Sequence, residues 1–254
     1  MTHADERTKF YGSFYEESYA AMGVFNNQDA PKQAEQILKL LNVQSESSIL
    51  DWCGAWGRHA IPFVKAGHRV TLLDYSERYV RRAEREAEEQ GVKLNTIVSD
   101  FRETPTEIQA DYAVNLFTAG IGHISKADDR VALIALYNAL KPGGAFLIDT
   151  MSLLWIWRNY STSRWRESED GTKRLLEKSI FDFTTNTIMS TWVYQDKAVG
   201  TEESHTFPLH VYSPAELIEL FGSVGFGDFK LYSDFTGSEF TIDAKRTVLV
   251  CKKP

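Results

Sequence analysis

Asp51, Gly54, Gly57 and Arg58 fall within the run Ile49-Leu50-Asp51-Trp52-Cys53-Gly54-Ala55-Trp56-Gly57-Arg58-His59, and a second acid, Asp74, closes the apolar run Val70-Thr71-Leu72-Leu73. The spacing predicts a strand ending at Asp51, a turn of small residues, a helix starting near Gly57 and a second strand ending at Asp74. This is a βαβ unit with a carboxylate at each strand tip. Small residues let the backbone approach a ligand, and the helix N-terminus behind them presents unpaired N–H groups. An acid at the second tip is placed to accept hydrogen bonds from both hydroxyls of a ribose. The plain alternative is an ordinary βαβ connection with a glycine turn.

The first acid narrows the choice of ligand. A pyrophosphate at the turn would be repelled by Asp51, whereas the ammonium and sulfonium of S-adenosylmethionine suit it. On these residues the chain resembles the class I S-adenosylmethionine-dependent methyltransferases, in particular the small-molecule and amino-sugar N-methyltransferase type, whose pattern here is acid-x-Gly-x-Gly-x-Gly. Cys53 and Ala55 stand at the first two glycine positions, and only Gly57 is kept. Cys or Ala replaces Gly without strain only where φ is negative, so negative φ is expected at both. The resemblance implies S-adenosyl-L-methionine as cofactor. Asp51, Gly54, Gly57 and Arg58 would hold its methionine end and Asp74 its ribose, with Cys53, Ala55 and Tyr75 completing the turn.

Alternating elements continue beyond this unit. Ser76 caps a charged helix to Gln90 with Val80, Ala83 and Ala87 on one side, and a strand at Leu94 to Val98 runs into Asp100-Phe101. The resemblance gives Asp100 the adenine amino group and places Phe101 beside the ring; a loop acid next to a core Phe is the alternative. A strand from Asp111 opens into Asn115-Leu116-Phe117-Thr118, implied by the resemblance to floor the methyl donor. A helix from Asp128 to Leu140 has Val131, Ile134, Ala135 and Ala139 spaced for burial, and the turn Lys141-Pro142-Gly143-Gly144 precedes a strand to Asp149. Ser213-Pro214-Ala215-Glu216 starts a helix with Leu217, Leu220, Phe221 and Val224 on its apolar face. Two further strands, through Phe229 to Tyr232 and Lys245 to Lys252, match the antiparallel end of a class I sheet.

The expected fold is therefore α/β: a Rossmann-like, seven-stranded class I methyltransferase sheet with an antiparallel last strand, plus an inserted antiparallel β subdomain. The core spans 46–152 and 211–254, the insert 153–210, and a helical N-terminal segment 1–45. β-leaning runs at Ser179 to Thr184, Thr187 to Tyr194 and Thr201 to Leu209 supply the insert.

Substrate contacts are expected from outside the core. Tyr11, Tyr15 and Tyr19 lie along one side of a possible helix, either packed on the core or forming a lid over the methyl donor. Trp155, Arg158 and Arg166 could bind an anionic or nucleotide-bearing acceptor, or be solvated residues of an amphipathic sheet. His123, in the loop after the fourth strand, is the first candidate for general base, with His210 and Tyr15 in reserve.

Composition limits the remaining classes. At 254 residues, 43% hydrophobic, the chain can bury a full core. A net charge of −7 argues against a broad grip on DNA or on an anionic membrane. The two cysteines, Cys53 and Cys251, are far apart and in no metal-ligand pattern, so a reduced cytoplasmic protein without metal is expected, with no signal peptide or membrane span. A small-molecule substrate and a possible homodimer complete the expectation. Its rivals are a non-catalytic domain that binds S-adenosylmethionine or a partner, and a nicotinamide-dependent oxidoreductase.

Overall fold

The computed structural model describes residues 27–254. They pack as two units, 28–158 with 211–254, and 159–210.

The larger unit holds a seven-stranded sheet of β1 (Ser48–Trp52), β2 (Arg69–Asp74), β3 (Asn95–Val98), β4 (Ala110–Asn115), β5 (Leu140–Met151), β10 (Gly227–Tyr232) and β11 (Arg246–Lys252). The strand order is β10-β11-β5-β4-β1-β2-β3. The first five strands pair in parallel, while β11 runs antiparallel to both β5 and β10. This is the expected sheet, with its antiparallel end. The chain builds outward from β1 in one direction and restarts at β4 in the other, so the carboxyl ends of β1 and β4 flank the crevice where open α/β sheets take ligands.

Strand periodicity divides the core into two layers. Leu50, Trp52, Leu73, Phe146 and Leu249 share one cluster with Leu133 and Leu136 of α4 (Lys126–Ala139) and Leu217 and Phe221 of α6 (Pro214–Gly222). The alternate residues Ile49, Val70, Leu72, Val114 and Leu147 meet Ile37 of α1 (Ala30–Leu40), Phe63 of α2 (Ala60–Lys65) and Val80 and Ala83 of α3 (Glu77–Glu89). Each large side chain so buried contributes about 1.5–3 kcal/mol. Local signals set the ends: Ser76 accepts from Tyr79 N to start α3, and a reciprocal Ser213–Glu216 box starts α6.

Three local expectations need correction. First, α2 runs regularly only from Ala60: Ile61 N already donates to Gly57 O at 3.0 Å, but Pro62 has no N–H to continue the ladder to Arg58. Second, α4 buries Ala132, Leu133, Leu136 and Ala139 while Val131 and Ile134 are exposed. The helix is apolar on two sides, and the buried Asp129 in its first turn selects which one faces inward. Third, Lys141 to Gly144 is not a turn: β5 already begins at Leu140. The helix stops before Lys141 because the residue preceding a proline disfavours the α region. Gly143 N donates to Lys253 O and Lys253 N to Gly144 O, both at 2.9 Å, so the segment extends the strand through an irregular register.

The smaller unit is a four-stranded antiparallel sheet in the order β6 (Ser163–Glu167), β7 (Lys173–Asp182), β8 (Thr187–Asp196) and β9 (Thr201–His210). Its three long strands take up most of the β-leaning runs, with Phe183 and Thr184 in the turn after β7; β6, exposed at every position, carries no apolar alternation and was not legible.

Candidate active site

The turn after β1 is held by its neighbour: Cys53 N and Gly54 N both donate to Leu73 O, at 2.8 and 3.2 Å. Contrary to expectation, Cys53 and Ala55 have φ of 62° and 48°. The left-handed region costs a non-glycine residue of order 1–3 kcal/mol. The geometry persists because it delivers Ala55 N to Asp74 Oδ2 at 2.9 Å. Gly54 is constrained by space, since a Cβ there would lie 2.7 Å from Asp51 Cγ. Gly57, with φ of +78°, keeps the one position where the family glycine is also present here. Bulky Trp56 turns into the core against Tyr79 of α3, its ring centroid 5.5 Å away.

Asp51 is buried, and its Oδ2 has no hydrogen-bond partner among the described residues. Burial, and then the charge of Asp74, push its carboxyl up to about 7, against the opposing pull of Arg58 and the Ala60 N–H. Asp74 is raised to about 6 by burial, although the N–H groups of Ser76, Ala55 and Tyr75 favour its anion. Asp74 Oδ2 accepts from Ala55 N and Oδ1 from Ser76 N, and a carboxylate has about four acceptor sites in all. Both buried acids stay high in spite of Arg58 and these N–H groups, and a ligand with an ammonium, a sulfonium and ribose hydroxyls would add the charge and donors that favour their anions. The residues present thus fit S-adenosylmethionine. Cys53, held well above its ordinary value by burial and then by these acids, is a neutral thiol.

At the third tip, Arg102 forks the Asp100 carboxylate, Nε to Oδ1 at 3.0 Å and Nη2 to Oδ2 at 2.6 Å. Phe101 stands edge-on to Trp52 with ring centroids 5.3 Å apart. Asp100 therefore offers only the acceptor capacity that Arg102 leaves.

The loop after β4 is the most heavily braced part of the crevice. Asn115 is fully buried and donates from Nδ2 to Trp52 O at 2.8 Å, and Leu116 is buried beside it. Phe117 and Thr118 follow in the left-handed region, φ 59° and 63°. The Asp149 carboxylate accepts Phe117 N at 2.9 Å, and Arg246 from β11 forks that carboxylate at 2.7 and 2.8 Å. The ring of Phe117 carries Arg58 at 4.3 Å and stacks with His59 at 5.4 Å. Neither Asp149 nor Arg246 was singled out from sequence. The available signal was an acid near the end of strand five and one arginine opening a last strand whose centre, Val248 to Cys251, is apolar.

His123 Nε2 lies 2.8 Å from Thr118 O. A carbonyl only accepts, so Nε2 carries the proton and Nδ1 is the basic nitrogen. Burial lowers its pKa, which keeps the imidazole neutral near pH 7. Asp129 supports the same loop, accepting Gly122 N at 3.0 Å and the Tyr212 hydroxyl at 2.7 Å.

The expected substrate residues fall on separate elements. Trp155 and Arg158 lie on α5 (Leu153–Asn159), with Arg158 exposed and paired to Asp243. Arg166 is on β6, facing Glu177, and His210 ends β9, where it is buried. Tyr11, Tyr15 and Tyr19 lie outside the described residues. Among the described residues, no group of His, Cys, Asp and Glu side chains could hold a metal ion, and no helix is long and apolar enough to cross a membrane.

Residues 49–144 match the family model of the methyltransferase domain, spanning β1 through the start of β5. The chain is 24% identical over 230 residues to the glycine/sarcosine N-methyltransferase of Aphanothece halophytica, covering 87% of this chain and 82% of that one. Among solved structures it is similar to the CcbJ methyltransferase of Streptomyces caelestis, with a TM-score of 0.79 at 18% identity over 96% and 97% of the two chains. It is also similar to the sugar N-methyltransferase KedS8 of a Streptoalloteichus species, with a TM-score of 0.70 at 14% identity over 96% and 92%. The two structures share its fold. Residues 49–144 thus match a methyltransferase domain, and the sheet that carries them has the class I methyltransferase fold.

Proposed function

We propose that the chain methylates the nitrogen of a small-molecule amine. The observation that carries this reading is the unpartnered, buried Asp51 Oδ2 beside Asp74 at the sheet's carboxyl edge, a place built for a cationic nucleoside. In this reading Asp51 binds the methionine ammonium, and Arg58 and the turn 53–57 enclose the methionine end. Asp74 and Tyr75 take the ribose, Asp100 and Phe101 the adenine, and Asn115 to Thr118 form the floor. The cofactor supplies an electrophilic methyl on a sulfonium with a neutral leaving group. The protein's task is then to align the acceptor in line with it, exclude water and hold one proton. His123 is the proposed proton acceptor, through Nδ1. An amine as acceptor is supported by the N-methyltransferase names of the glycine/sarcosine relative and the sugar-modifying structure, whose acceptors are small molecules.

Calorimetric titration with S-adenosylmethionine and S-adenosylhomocysteine, with NADH as control, tests the cofactor site. Binding of both adenosyl ligands that is lost in Asp74→Ala supports it; equal binding by the variant overturns it. A panel of amino acids and amino sugars, read by S-adenosylhomocysteine release, then tests the acceptor, and turnover on hydroxyl acceptors alone would replace N- by O-methylation.

A further inference from the structure

We infer that Asp149 and Arg246 are the positioning pair that holds the Phe117–Thr118 floor in its ligand-binding conformation. The inference rests on the proposed placement of that floor under the methyl donor.

Two consecutive non-glycine residues in the left-handed region do not hold themselves there. Four of the bonds that fix them run to β5 and β11. Phe117 N donates to Asp149 Oδ2 at 2.9 Å and Thr118 N to Asp149 O at 2.9 Å. Thr118 Oγ1 accepts from Met151 N at 3.1 Å and from Arg246 Nη2 at 3.2 Å. Asp149 itself is 1% exposed, a buried carboxylate that needs a matched cation. Arg246 provides it as a planar fork with Nε on Oδ1 and Nη2 on Oδ2. The same guanidinium lies 5.5 Å from the centre of the Phe117 ring. The antiparallel ladder makes this possible, since Val248 pairs with Asp149 and Arg246 with Met151, leaving Arg246 diagonal to the acid. β11 therefore does more than close the sheet: it reaches across β5 and sets the loop after β4. Thr118 O in turn receives His123 Nε2, so the pair also fixes the anchor of the imidazole.

A lysine at 246 keeps the charge but cannot fork the carboxylate while reaching Thr118. The test is calorimetric titration of S-adenosylhomocysteine into the parent, Arg246→Lys and Arg246→Ala, with a thermal melt of each ligand-free protein. We expect Arg246→Lys to melt cooperatively and bind about tenfold more weakly, and ethylguanidinium added to Arg246→Ala to restore part of the lost affinity. Binding by Arg246→Lys within threefold of the parent overturns the inference, as does a failure of ethylguanidinium to restore any affinity. Loss of the cooperative melt in both variants also overturns it, because the pair would then hold the sheet and not the floor. If the parent itself does not bind S-adenosylhomocysteine, it is the assignment of the cofactor site that fails.

Discussion

The Tyr212 hydroxyl donates to Asp129 Oδ2 at 2.7 Å across a buried contact that joins the chain entering α6 to the first turn of α4. Burial pushes the Asp129 carboxyl up to about 7 in spite of this bond and the Gly122 N–H, and it pushes the Tyr212 phenol up as well. Removing the hydroxyl takes away one of the donors that stabilise the Asp129 anion. Tyr212→Phe should lose about 1–3 kcal/mol of stability near pH 8 by urea denaturation, and less near pH 5, where Asp129 is protonated in the folded protein.

Asp51 makes the ligand-free protein sensitive to pH in a predictable direction. Its ordinary value is 3.8 and its folded value is about 7, so between these limits the folded state holds a proton that the unfolded state has released. Stability therefore falls as pH climbs from about 4 to about 7. Asp51→Asn should flatten this part of the melting curve and raise Tm above pH 7, each ~1 kcal/mol appearing as roughly 2–4 °C for a chain of this size.

Ligand binding should show the opposite slope. A ligand ammonium favours the Asp51 anion, so below about 7 binding must expel a proton. Affinity for S-adenosylhomocysteine is expected to rise with pH and level off near 7.5. Calorimetry in two buffers of different ionisation enthalpy measures the released proton directly; no buffer dependence at pH 6 would refute the assignment of Asp51.

The first turn separates two kinds of substitution. Ala55→Gly relieves a left-handed alanine and should be neutral or stabilising by up to about 1 kcal/mol. Gly54→Ala puts a methyl 2.7 Å from Asp51 Cγ and should abolish adenosyl-ligand binding even where the protein still folds. Thermal melting and titration of the two variants check both outcomes.

His123→Ala should lower kcat by about 10²–10⁴-fold if the imidazole takes the acceptor's proton, with S-adenosylhomocysteine affinity nearly unchanged. Restoration of kcat at pH 9 with an acceptor already deprotonated there would strengthen the assignment, and unchanged kcat at pH 7 would remove it.

The sheet and its two acids were legible because strand-tip positions are local: Asp51 and Asp74 each lie at the close of a short apolar run, and the two runs pair in parallel. Turn conformation was not. Glycine substitution suggested negative φ at Cys53 and Ala55, yet bonds to Leu73 O and Asp74, both distant in sequence, hold the turn left-handed. The brace on Phe117 and Thr118 was hidden for the same reason. Asp149 and Arg246 meet only once β11 has paired antiparallel with β5, and no spacing in the chain announces that contact. On α4, Val131 and Ile134 carried the right period but the wrong side, because tertiary bonds to Asp129 choose between two apolar stripes.

Among the described residues, β6 to β9 pair only with one another and share no ladder with the seven-stranded sheet. Register in one sheet is therefore insulated from change in the other. The insert can be lengthened, shortened or recoloured while the cradle at β1 and β2 keeps its ladder.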